Sequence, residues 1–322
     1  MKENESFVQR KCFWTERIDM QYITEIHSYH SEERSAVTLG KFDGLHRGHQ
    51  KLIDKIREYA SREENTRSVV CAFDMGKDSL LTGAERKARL SGQVDTLVAC
   101  PFTKELREME AEDFIRQVLA ETFHASHIVV GTDFHFGHEK RGDVKMLAEY
   151  ADTYGYNLEV IEKERYEGRI ISSTSVRKAL SGGNTELANI LLGYPYQVSG
   201  RVEHGKQLGR TLGFPTMNIA PAQGKILPRF GVYLCRVQVD GRWYQGIVNI
   251  GVKPTVADEP KVLAETFAFD FAGDVYGMEA LVEFVAFVRP EKKFCSVEEL
   301  KSRVDADICF GRKYFGRKSN GH

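Results

Sequence analysis

From Ser35 to about Glu164, short β-branched apolar runs alternate with amphipathic stretches. Ala36–Leu39, Ser68–Phe73, Thr96–Cys100, His127–Val130 and Leu158–Ile161 read as strands apolar on both faces. Between them, Leu52, Ile53 and Ile56, then Phe114, Ile115, Val118 and Leu119, then Met146, Leu147 and Tyr150 recur at helical spacing. This alternation predicts an α/β, doubly wound parallel sheet with ligands at the carboxyl ends of its strands. After Gly182-Gly183 and a short apolar helix, Leu187 to Leu192, the period changes to two. Tyr196–Val202, Phe214–Ile219, Val232–Val239, Trp243–Ile250, Lys261–Phe271 and Ala280–Val288 then follow with turns between them. Strands without intervening helices predict a small antiparallel six-stranded β-barrel, closed by a C-terminal helix from Ser296 to about Phe310. The boundary is expected near residue 186, giving domains 1–186 and 187–322; residues 1 to about 17 are polar and expected to be loosely packed.

Chemistry enters directly after the first strand, in Gly40-Lys-Phe42-Asp-Gly44-Leu-His46-Arg-Gly48-His49. The pattern is a strand, a glycine-opened turn and a helix from about His49 to Tyr59. Gly40, Gly44 and Gly48 leave room for a phosphate near the backbone, and the helix start offers free N–H groups and positive dipole. His46 and His49, three apart, would share one space and donate hydrogen bonds to an α-phosphate and to departing pyrophosphate. Two surface histidines at a helix start are the plain alternative; the strand and the spaced glycines favour the phosphate.

Two further segments carry candidates in this half. Gly131-Thr-Asp133-Phe-His-Phe136-Gly137 at the fourth strand end is either a ring-binding lip or local core, with Asp133 placed to orient a ligand. Ile171-Ser-Ser173-Thr174-Ser-Val-Arg177 opens a helix, where the hydroxyls cap it or, with Arg177, clamp a triphosphate.

The barrel half begins with Gly205-Lys206-Gln-Leu-Gly209-Arg210-Thr-Leu-Gly213-Phe-Pro-Thr216-Met-Asn218. Spaced glycines can wrap phosphates with backbone N–H groups, and Lys206 and Arg210 add charge. On a strand, Thr216 and Asn218 point the same way and could offer oxygens to one magnesium ion, or form a cross-strand polar pair. Glu265 interrupts an apolar strand face of Leu263, Phe267, Phe269 and Phe271. It is either a general base for a substrate hydroxyl or half of a structural ion pair, with Arg289 as the candidate partner. The magnesium pair favours the base.

At 322 residues, the chain has room for two domains with ample core. A formal net charge of −1 with interspersed signs gives no footprint for a nucleic-acid backbone or an anionic membrane. The six cysteines are scattered without a C-x-x-C pair, which suits reduced thiols in the cytoplasm. There is no signal peptide and no apolar run of about 18 residues, so neither export nor membrane insertion is expected. No partner beyond small molecules is indicated, and the oligomeric state is not encoded in any visible pattern.

The Gly40–His49 stretch resembles the H-x-G-H signature of the nucleotidyltransferase superfamily, and the whole resembles the bacterial bifunctional riboflavin kinase/FAD synthetase family from about Ser35 to Phe315. The second half carries Gly-Arg-x-Leu-Gly-Phe-Pro-Thr-x-Asn, Pro228-x-x-Gly231-Val-Tyr233, Asn249-Ile-Gly251 with Pro254-Thr255, Asp274-x-Tyr276-Gly277 and Arg289-Pro290-Glu291. The resemblance implies a Rossmann-like nucleotidyltransferase domain and a kinase barrel, with ATP as co-substrate, Mg2+ as cofactor, and riboflavin, FMN and FAD as substrates and products. It implies that Thr216 and Asn218 hold magnesium, that Glu265 takes the proton from the ribityl 5′-hydroxyl, and that the glycine loop embraces ATP. It also places His46, His49, Ser173, Thr174 and Arg177 in adenylyl transfer, with Gly40, Phe42 and Gly44 in the nucleotide loop. Asp133, Phe136 and Arg289 fall to the flavin. One departure stands out: Phe73-Asp74-Met75-Gly76-Lys77 replaces the family's Phe-Asp-Pro-His-Pro, exchanging ring-constrained residues for flexible ones. The second reading is therefore a riboflavin kinase whose first domain has a weakened or altered acceptor; a non-catalytic flavin-binding regulator would require site losses that the sequence lacks.

Overall fold

The protein is described by a computed structural model covering residues 20–76, 78–204, 212–254 and 260–319. The expectations for residues 1 to 17, Lys77, Gly205, Lys206, Gly209 and Arg210 lie outside the described residues. The chain divides into two compact units, Met1–Ser172 and Ser173–His322.

In the first unit, β1 (Gln21–Ile23), β2 (Arg34–Gly40), α1 (Arg47–Arg62), β3 (Thr66–Asp74), α2 (Gly83–Leu90) and β4 (Thr96–Pro101) come first. The short helices α3 (Lys104–Glu108) and α4 (Ala111–Asp113) run into a π-helical stretch over Phe114–Thr122, followed by β5 (Ala125–Gly131), α5 (Val144–Tyr154) and β6 (Asn157–Ile161). A two-stranded hairpin, β7 (Arg165–Tyr166) and β8 (Arg169–Ile170), completes it. The six main strands pair in parallel in the order β1-β4-β3-β2-β5-β6. From β2 the chain goes to β3 and β4 on one side and to β5 and β6 on the other. The order reverses there, and the ends of β2 and β5 flank a topological switch point.

Strand alternation sends residues to two cores. Val37, Leu39, Val69, Cys71, Val98, Ile128 and Val130 pack against Phe114, Ile115, Val118 and Leu119. Ala36, Val70, Ala72, Leu97 and Val129 pack against Ile53 and Ile56 of α1 and Leu90 of α2. The expected helix over Phe114–Leu119 is wide-turned because Phe123 N donates to Val118 O (3.0 Å) and the Thr122 hydroxyl to Gln117 O (2.7 Å), both five residues back.

The second unit opens with α6 (Ser173–Ser181) and α7 (Thr185–Leu192). Both fall with the barrel, and Arg229 N donates to Leu180 O at 2.9 Å; the expected boundary near residue 186 lies inside α7. Strands β9 (Gln197–Glu203), β10 (Met217–Pro221), β11 (Gly231–Val239), β12 (Arg242–Pro254), β13 (Pro260–Ala268) and β14 (Glu279–Pro290) precede α8 (Val297–Ser319). The strands close in the order β10-β13-β12-β11-β14-β9, every pair antiparallel. On β11, Tyr233, Cys235 and Val237 are fully buried, whereas Val232 and Leu234 alternate outward to meet Ile308 and Phe315 of α8 and Arg236 is exposed. The helix runs past the expected end at Phe310 because Phe315 is buried against Phe269 and Arg312 makes two hydrogen bonds to Asp270.

Candidate functional site

Chemistry concentrates in two places, one in each unit. In the first, the loop between β2 and α1 holds Phe42 at φ 45°, Gly44 at φ 86° and Leu45 at φ 41°. Left-handed backbone at two bulky residues costs about 1–3 kcal/mol each and persists where packing over-determines it. Both side chains are buried, and the Phe42 ring lies 5.0 Å from that of His49. Phe42 thus supports a histidine from beneath. Asp43 Oδ1 accepts from Leu80 N at 2.7 Å, tying the loop to the segment before α2.

His46 is the N-cap of α1, its Nδ1 accepting from His49 N at 3.3 Å. That nitrogen carries no proton, so the hydrogen sits on Nε2, which is left as a donor. The His49 ring stacks on it at 3.7 Å and 15°, and His49 Nδ1 is buried without a partner. Burial lowers the His46 pKa to about 4. His49 is pushed well below its ordinary value by burial first and by His46 second. Both rings are therefore neutral near pH 7 in the free protein. The glycines divide in role: Gly44 supplies the positive φ, a Cβ on Gly48 would press the His46 ring at 3.2 Å, and one on Gly40 would make ordinary contact.

Around this loop the other candidates separate. Asp133, just past β5, is exposed and paired with Lys163 at 2.7 Å. Phe136 lies in the core: its ring packs on Phe114 (5.3 Å) and occupies the place where a Cβ of Gly142 would stand, 2.5 Å from ring carbon. Of the two readings of this loop, core describes Phe136, and Phe134 stacks on it half-buried. At the end of β3, the Arg86 guanidinium, buried, holds both oxygens of Asp74 at 2.8 and 2.9 Å. Met75 beyond it is exposed and Gly76 stands at φ 60° with open space around it. Ser173, Thr174 and Arg177 lie at the start of α6, in the other compact unit from the histidines.

In the barrel, Asn218 is the direct register partner of Glu265, and the Thr216 hydroxyl donates to Glu265 Oε1 at 3.1 Å. The three sequence candidates therefore converge. The ion-pair alternative for Glu265 does not hold with Arg289, whose Nε donates to Asp307 Oδ2 at 2.8 Å, deep under α8, while the guanidinium lies 5.7 Å from the Phe294 ring. Arg289 latches α8 to β14. Gly213, at φ 90°, has open space where a side chain would be. Asn249 was not singled out as a site residue by its sequence position; it opposes Glu265 from β12, and its Oδ1 is buried without a partner. The available signal was an amide in the apolar run Ile247-Val-Asn-Ile250. Among the described residues, no cluster of three His, Cys, Asp or Glu could hold a metal, and no helix is long and apolar enough to cross a membrane.

Residues 28–175 match the family model described as FAD synthetase, and residues 192–315 match riboflavin kinase. The chain is 37% identical over 304 residues to a bifunctional riboflavin kinase/FMN adenylyltransferase of Pseudomonas fluorescens, covering 91% of this chain and 97% of that one. The protein of the same name from Escherichia coli K12 is 35% identical over 92% of this chain and 98% of its own length. A crystal structure described as a macrolide-efflux protein from Streptococcus pneumoniae matches with a TM-score of 0.81 and 29% identity, covering 90% and 98% of the two chains. With both domain matches in order and relatives aligned over nearly their full length, this chain belongs to the bifunctional riboflavin kinase/FMN adenylyltransferase family.

Proposed function

We propose that this chain makes FMN from riboflavin and ATP in its barrel unit, and FAD and pyrophosphate from FMN and a second ATP through the H-x-G-H loop. The convergence of Thr216, Asn218 and Glu265 carries the first reaction. Glu265 accepts the proton of the ribityl 5′-hydroxyl as its oxygen attacks the γ-phosphorus and ADP departs. A hydroxyl and an amide oxygen suit Mg2+, which keeps water and phosphate oxygens in its shell rather than an all-protein cage. The Thr216 hydroxyl donates its hydrogen to Glu265, so Thr216 and Asn218 could still offer oxygen lone pairs to Mg2+, which would neutralise charge on the phosphates. Gly205, Lys206, Gly209, Arg210 and Gly213 are assigned to ATP.

In the second reaction the FMN phosphate attacks the α-phosphorus of ATP and pyrophosphate leaves, with no base required. His46 and His49 donate to the oxygens on which charge builds, and their neutrality lets both rings sit together without repulsion. Gly40, Phe42 and Gly44 shape the nucleotide loop; Ser173, Thr174 and Arg177 are assigned to the triphosphate, and Asp133 to the flavin. The kinase-only alternative gains no support from the matches, since the FAD synthetase family extends across the altered Asp74-Met75-Gly76 loop. Free thiols at Cys71, Cys100 and Cys235 suit work in the cytoplasm.

The test is a chromatographic time course with ATP and magnesium, started in parallel from riboflavin and from FMN. Wild type passes riboflavin through FMN to FAD. Glu265→Gln loses FMN formation by about a thousand-fold yet adenylylates supplied FMN at nearly the wild-type rate. Wild type that stops at FMN from riboflavin and leaves supplied FMN unchanged would remove the second reaction, and equal loss of both activities in Glu265→Gln would remove the separation of sites.

A further inference from the structure

Glu265 stands inside a row of register partners crossing four strands: Glu203 on β9, Asn218 on β10, Glu265 on β13 and Asn249 on β12. Opposed residues of an antiparallel ladder share a face, with neighbouring strands about 4.8 Å apart. Glu265 is therefore flanked by Asn218 on one side and Asn249 on the other. The members differ in how they are satisfied. Lys261 holds Glu203 at 2.6 Å, and Thr216 donates to Glu265 at 3.1 Å. Asn249 Oδ1 is buried and receives no donor. A buried acceptor left this way destabilises the fold, and such atoms are few in native proteins. A ligand that brings a hydroxyl removes that penalty.

The row also has a direction. Thr216 and Asn218 mark the side of the cation and the γ-phosphate, Glu265 marks the attacked hydroxyl, and Asn249 lies on the remaining side. Further along the same face of β12, Gly251 has no side chain and the Glu291 carboxylate lies over it, 2.2 Å from where a Cβ would stand. The unpartnered acceptor on that side is Asn249 Oδ1, which suits an O–H group of a polyol chain.

We propose that Asn249 is a positioning residue for the phosphoryl acceptor: its amide oxygen accepts from the hydroxyl adjacent to the one that Glu265 deprotonates. This rests on the riboflavin kinase reading. The interaction fixes the chain so that the terminal oxygen points at the γ-phosphorus, and it selects a polyol over a simple alcohol.

The experiment compares two acceptors: riboflavin, and a flavin whose ribityl chain is replaced by an ω-hydroxypentyl chain bearing the terminal hydroxyl alone. Asn249→Ala lowers kcat/KM for riboflavin by about ten- to a hundred-fold and leaves the analogue within about two-fold of wild type. Asn249→Asp, which keeps an oxygen at that place, restores the ratio between the two acceptors even where the absolute rate falls. The thermal midpoint of Asn249→Ala stays level or rises, because an unsatisfied buried group has been removed; a structural amide would lower it. Equal losses on both acceptors, or an unchanged riboflavin rate, overturn the assignment. Failure of wild type to phosphorylate riboflavin at all would instead remove the kinase reading, and the inference with it.

Discussion

At the end of β2, Phe42, Gly44 and Leu45 are held in the left-handed region and a stacked pair of histidines closes the turn. Across β10, β13 and β12, by contrast, Asn218, Glu265 and Asn249 are brought together by strand register. The histidine loop is local: ten consecutive residues supply the strain, the cap and the stacked rings. The second site is assembled from three separate strands, each ordinary by itself. Local sites fail when one backbone angle or ring is changed, whereas register sites fail when a side chain in the row changes its chemistry.

The sharpest way to break this comparison is to separate the two duties of His46. His46→Ala removes both the imidazole donor and the N-cap of α1, so FAD formation falls by about 10²–10³-fold while FMN formation from riboflavin is unchanged. His46→Asn keeps a cap oxygen for the His49 N–H and recovers the stability lost by alanine, about 1 kcal/mol, yet remains as slow. A His46→Asn enzyme with a restored rate would reduce the ring to a cap. The pH dependence follows from the same burial. With a folded value of about 4 against 6.5 ordinarily, the unfolded chain binds the proton first, so stability is intact above pH 6.5 and declines as pH falls toward 4. His46→Asn makes that decline shallower in a series of thermal midpoints and leaves the part due to buried His49.

A smaller effect is expected on the barrel side. Arg289→Met leaves Asp307, 3% exposed, with Arg303 at 3.3 Å as its remaining ion-pair partner. The loss is about 2–4 kcal/mol, read as a lower midpoint of the kinase unit. The register row does not depend on α8, so kcat for FMN formation holds wherever the unit remains folded. A raised KM for riboflavin with an unmoved midpoint would return Arg289 to flavin binding.

Legibility followed the same divide. The β2–α1 site could be read because strand, glycines and histidines are contiguous, and because a parallel sheet puts its ligands at strand ends. Glu265 could be read as a carboxylate breaking an apolar strand face, and Thr216 with Asn218 by their common direction. Asn249 could not, since its importance lies in opposing Glu265, and the register that pairs β12 with β13 is not visible in either strand alone. The partner of Arg289 was hidden for a similar reason: Asp307 lies on a helix that folds back over the barrel. Phe136 shows a different limit, because an aromatic flanked by glycines looks alike at a ligand lip or in a core; the bare Gly142 beneath its ring decides it. The strand β1 is only three residues long and has too few positions to show a period.

The mildest prediction sharpens the local character of the first site. Glu164 lies beyond β6, with Arg47 Nη2 at 2.7 Å from one carboxylate oxygen and Lys51 on the other, so it ties the first turn of α1 to the strand end. Lys51 first, by its hydrogen bond, and then Arg47 draw its carboxyl below the ordinary value of 4.5. The folded state holds the proton more weakly than the unfolded chain, so the pair's contribution is present above pH 4.5 and is lost as pH falls through the folded value. Because both cations are about half-exposed, the contribution is about 0.5–1 kcal/mol. Glu164→Gln should therefore lower the midpoint of the first unit slightly at neutral pH and converge with wild type in acid. FAD formation should slow a few-fold at most and FMN formation stay unchanged. A midpoint gap that persisted in acid would mean that Glu164 acts through packing beside Gly48 rather than through its charge, and the first site would then depend on its strut sterically, as it does on its glycines.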